Sequence, residues 1–109
     1  MAEDRYLDKA QARDIEEELF ATRRQQASRN MPVPLPRQNF WEMVGKLLAG
    51  IDAEIQEMLV NGITGLRLQN AQKRQANIRR IASELSRKRL VTMMQYLASQ
   101  SLRTDSQLG

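Results

Sequence analysis

The chain has 109 residues, 17 Lys and Arg against 13 Asp and Glu, no His and no Cys, for a formal charge of +4. That length suits about one domain, which buries roughly two thirds of the surface its unfolded chain exposes. Without cysteine there are no disulfides, thiolate metal sites or cysteine nucleophiles, and without histidine the commonest general base and metal ligand is missing. No run approaches the roughly twenty apolar residues of a membrane span, and the opening MAEDRYLDKA is too charged for a signal peptide. A soluble, cytoplasmic protein with no membrane partner, no cofactor and no enzymatic activity is expected.

Charge divides the chain. From Leu66 onward nine bases face two acids, whereas residues 1–65 carry eight bases and eleven acids, so the halves stand at +7 and −3. A chain split this way offers one surface to anionic partners and another to basic ones.

The first predicted element is a helix from about residue 4 to 28, rich in Glu, Ala, Gln and Arg, with Leu7, Ile15 and Leu19 on one narrow sector. Its acidic run Glu16-Glu17-Glu18 reads as a solvated helix face rather than a metal site. Residues 30–38 (NMPVPLPRQ) hold all three prolines and predict an ordered, extended linker, because proline cannot continue a helix and drives the residue before it to extended backbone. Asn39 with Glu42 three positions later has the spacing of a capping box, opening a second helix over about 39–60. There Phe40, Val44, Leu47, Leu48, Ile51, Ile55, Met58 and Leu59 share one side at helical periodicity. Gly45 and Gly50 lie inside this helix, either to let another helix approach or as tolerated residues. Asn61-Gly62 ends it, and Gly65 lets the chain reverse. The GITG run at Gly62 to Gly65 lacks the lysine and preceding strand of a phosphate loop and reads as a turn.

The third segment, residues 66–102, is followed by a short tail, 103–109. As one helix it would span about 55 Å, roughly twice the diameter of a domain this size, so it projects, breaks or packs between subunits. Ile78, Ile81, Ala82 and Leu85 share one face, while Leu90, Met94, Leu97 and Ala98 are turned by more than about 100° from it. The shift falls at Ser86-Arg87-Lys88-Arg89 and predicts either a kink or two packing surfaces. The fold class is therefore all-α, a small helical bundle with a long C-terminal helix. The stripe Leu90, Met94 and Leu97 is too apolar to leave in water and predicts a homo- or hetero-oligomer, a dimer or tetramer.

Several motifs together resemble a known family. EEELF at Glu16 to Phe20, the Pro34-Leu35-Pro36 linker, Phe40-Trp41-Glu42 opening an amphipathic helix, and NIRRIASELSRKRLVTMMQYLAS from Asn77 to Ser99 resemble the helical domain of archaeal GINS replication proteins. The likeness covers about residues 14 to 99, and Leu90-Val91 stands where that family has Lys-Ile. The small β domain that usually accompanies the helical domain has no counterpart in the matched stretch. The resemblance implies a non-catalytic, nucleoid-associated scaffold in DNA replication that bridges the MCM helicase to a Cdc45-like partner, with DNA nearby. It also implies that Leu35 and Pro36, with Phe40 and Trp41, fix the first helix against the second, although a lone Trp at a helix start reads from physics alone as core. Arg74, Arg79, Arg80, Arg87, Lys88 and Arg89 are the expected partner or nucleic-acid contacts. The competing expectation is a small DNA- or RNA-binding protein acting through residues 67–89, where clustered bases would neutralise phosphates.

Overall fold

The computed structural model describes residues 7–108, with side chains through residue 102, and all its regular structure is helical. Helix α1 runs Lys9–Ala27, α2 Phe40–Val60 and α3 Leu66–Leu108, and each packs against the other two. The molecule measures 69 × 30 × 18 Å because α3, with 43 residues, outruns its neighbours.

Local chemistry sets the helix ends. Asp8 caps α1 through a reciprocal box in which the Gln11 backbone N–H donates to Asp8 Oδ1 (2.8 Å) and the Asp8 N–H donates to Gln11 Oε1 (3.1 Å). The start expected near Asp4 lies outside the described residues. The box expected at Asn39 and Glu42 does not form, and Asn39 makes no side-chain cap bond. Its backbone (φ −99°, ψ 30°) is already turned, since the Phe40 N–H donates to the Arg37 carbonyl (3.2 Å), so the side chain is not placed to reach forward as from an extended cap. At the other end of α2, the Ile63 N–H donates to the Met58 carbonyl (2.8 Å) and the Gly62 N–H to that of Leu59 (3.1 Å). This is a Schellman closure, and it needs the positive φ that Gly62 adopts (69°). Gly65 (φ 87°) then reverses the chain into α3.

α3 continues to Leu108 instead of giving way to a tail after Leu102. No Pro or Gly stands between Leu66 and Gly109, so nothing in the sequence stops it. One unbroken helix thus carries both apolar faces.

The core is Ile15 and Leu19 from α1, Phe40, Val44, Leu47, Ile51 and Ile55 from α2, and Ile78, Ile81 and Leu85 from α3. Each set follows its helical period, and the partly buried Leu7, Leu48 and Ala82 pack at its edge. Burying a side chain of this size stabilises by about 1.5–3 kcal/mol relative to exposure. Leu59, expected on the apolar side of α2, is instead half exposed, because the helix ends there without a neighbour over it.

Among the described residues, every buried polar side chain has hydrogen-bond partners. Thr22 donates to the Glu18 carbonyl (2.6 Å) and Thr92 to that of Arg89 (2.9 Å). Gln26, 1% exposed, reaches across to the residues after α1: its Nε2 donates to the Met31 carbonyl (3.0 Å), and its Oε1 accepts from the Val33 N–H (2.8 Å). Arg89 Nε of α3 donates to the Val33 carbonyl (3.3 Å).

A candidate partner-binding surface on the third helix

The basic residues of α3 divide into those held by the fold and those left free. Arg74 is bound to Glu16 of α1 through Nε (2.9 Å) and a terminal nitrogen (2.8 Å). Arg80 pairs with Glu84 (3.0 Å) and donates to Asn77 (2.6 Å). Arg89 is committed to the Val33 carbonyl. Arg79, Arg87 and Lys88 are exposed, with neither a hydrogen bond nor an ion pair among the described residues. Of the six bases expected to meet a partner, three are therefore available as they stand.

The acidic half of the chain explains part of this division. Glu16 takes Arg74 and Glu18 takes Arg37 through two donors, so the acidic run of α1 is partly a set of tertiary ion pairs rather than a solvated face. The hydrogen bonds that Arg37 donates to the Glu18 carboxylate raise its pKa above the usual value, and that guanidinium stays charged at any working pH. Glu84 receives Arg23 of α1 (3.0 Å) as well as Arg80. Burial pushes its carboxyl up, but the hydrogen bonds and charges of Arg80 and Arg23 outweigh this and hold it below the ordinary carboxylate value.

The apolar stripe of distal α3 is uncovered. Leu90, Met94 and Leu97 are each between 57% and 60% exposed, and Thr92 is the last buried residue of the helix among those whose side chains are described. At 100° per residue the three stand roughly 120 to 180° from Leu85, on the side of α3 turned away from the core. Val91, Met93, Tyr96 and Leu102 are exposed as well. The rotation seen in the sequence is thus a real change of face, with nothing of this chain over the second one among the described residues.

The linker anchors behave unequally. Phe40 is fully buried and Leu35 packs against the core, but Trp41 is 37% exposed and meets Phe40 edge-on, with ring centroids 5.1 Å apart. The expectation of a core tryptophan fails because α2 has one core-facing side and Phe40 occupies it; the next residue is turned about 100° away.

Two features escaped sequence reasoning. Gln26 reads as one more polar helix residue, and its partners lie on a segment whose path only the fold determines. Arg23 and Arg24 sit near the end of α1, yet only packing brings them beside Lys88 of α3. Compared with known proteins, the chain matches no protein family, no curated protein and no solved structure.

Proposed function

We propose that this chain is a non-catalytic scaffold subunit of GINS type, working in DNA replication by joining the MCM helicase to a Cdc45-like protein in a nucleoid-associated assembly. One observation carries the reading: an apolar stripe runs along a projecting helix on the side away from the core, where it serves association rather than folding. Leu90, Met94 and Leu97 form the subunit interface of a dimer or tetramer. Residues 30–38 act as an ordered strap, a role supported by their bonds to Gln26 and Arg89. The motif likeness supports the choice of replication.

The competing reading, a DNA- or RNA-binding protein acting through residues 67–89, draws on Arg67, Lys73, Arg79, Arg87 and Lys88, all exposed and without a partner among the described residues. Against it, Arg74, Arg80 and Arg89 are already committed within the chain, which leaves fewer cations for phosphates than the sequence count suggests. Affinity purification from the native cell with mass spectrometry separates the two. The scaffold reading expects the MCM helicase or the Cdc45-like protein, lost from a Leu90→Glu, Met94→Glu variant; recovery of nucleic acid without either protein contradicts it.

A further inference from the structure

The side of α3 turned away from the core changes character at one point. From Leu90 to Leu102 the helix carries no charged residue. Within that run the exposed Leu90, Met94, Leu97 and Ser101 are spaced by four, three and four positions, so they share one side. Nearer the body, Lys73, Arg80 and Arg87 stand three, two and one heptads before Met94, and all three are exposed. A straight helix drifts only about 20° per heptad, which keeps these bases on the side of the stripe. One continuous face of α3 is thus cationic along the body and uncharged along the arm.

We propose that this arm pairs with the arm of a second copy of the chain, running antiparallel, about a two-fold axis between Met94 and Leu97. The inference rests on distal α3 being an interface, and it names the occupant and the direction. Spacing favours a second copy, because four, three and four read the same from either end. Met94 of one copy then meets Leu97 of the other, and Leu90 meets the small Ser101. Charge favours it too. Val91, Met93, Ala98 and Gln100 occupy the flanking positions that in paired helices usually carry the charges selecting a partner, and none of them is charged. Nothing in the arm recruits a partner of opposite sign or repels a like one. The cations then set the direction. Parallel arms would place Arg87 against Arg87 and, further back, Lys73 against Lys73. In the antiparallel pair the two Arg87 side chains are about 25 Å apart along the axis, and the two three-helix bodies lie at opposite ends. The contact spans about 17 Å of helix, at the small end of specific interfaces, so pairing depends on concentration.

The chain has no cysteine, so Ser83→Cys, exposed on the outward side of the body, takes a single spin label on the full chain. Pulsed dipolar spectroscopy then reads the direction. Antiparallel arms put the two labels about 35–40 Å apart along the axis, whereas parallel arms bring them to about 10 Å, the spacing of packed helices. We expect the long distance, nearly unchanged between about 50 and about 500 mM salt because the paired surfaces are uncharged. Adding Met94→Glu should abolish it. Met94 is 60% exposed, so that variant should keep its circular dichroism spectrum; Met94→Gln is the gentler change if it does not. The proposal is overturned by the short distance, by the absence of any dipolar signal at concentrations up to about a hundred times the micromolar range, or by a long distance that persists with Met94→Glu. The short distance would leave distal α3 an interface. None of these results bears on recovery of the MCM helicase or the Cdc45-like protein from the cell, so failure here and failure of the scaffold reading are separate.

Discussion

Gln26 shows how one side chain can organise the molecule between two helices. It is a buried amide with both ends satisfied across a turn of chain, and α1 and the following segment are held together through it. Gln26→Leu keeps the volume but strands the buried Val33 N–H, and unpaired buried polar groups cost about 1–3 kcal/mol each. We expect a loss of about 2–3 kcal/mol, read as a lower urea midpoint with an unchanged slope. Glu84 gives a second test at this scale. Its pKa is lower folded than in an unfolded chain, where glutamate titrates near about 4.3. Its stabilising contribution is therefore present above that value and lost as pH falls through the lower folded one. Glu84→Gln should flatten the acid limb of the stability curve slightly, since the ion pairs are well exposed and screened. An unchanged acid limb would contradict the pairing.

At the scale of elements, the periodic ones were the legible ones. Every core residue of α2 and α3 lay on a predicted stripe, because burial of one helix face imposes a period that the sequence must repeat. The caps were less legible. Asp8-x-x-Gln11 and Asn39-x-x-Glu42 have the same spacing, and only the first forms a box, since the second begins from backbone already turned. The α3 stripe was visible as a rotation, but whether it meant a kink was not, because residues 86–89 are compatible with either. Of the candidate contacts, the apolar ones were readable as a face, whereas which bases remained free depended partly on Glu16 and the Val33 carbonyl arriving from the fold. Gly45 inside α2 and Gly62 just past its end divide in the same way. Gly45 faces open space, with nothing within 4 Å of an added Cβ, so it serves no close helix contact. Gly45→Ala should stabilise by about 0.5–1 kcal/mol, while Gly62→Ala, at positive φ, should cost about 1–2 kcal/mol. Thermal unfolding of the two single variants checks the opposite signs.

For the whole molecule, the decisive fact is a mismatch of lengths. α1 and α2 have 19 and 21 residues, α3 has 43, and no residue of α3 from Met93 to Leu102 is buried. A three-helix body therefore carries an arm that its own core does not need, and the arm is apolar over several turns. Covering Leu90, Met94 and Leu97 on each subunit would stabilise a pair by several kcal/mol before the cost of association, at about 25 cal/mol per Å² of apolar surface removed. Light scattering at micromolar concentration, on the parent chain and on Met94→Glu, tests this most directly. The parent should have the mass of a dimer or tetramer and the variant that of a monomer with unchanged helicity. A parent that stays monomeric, or a Met94→Glu chain that assembles as the parent does, would contradict the assignment of distal α3 as the subunit interface.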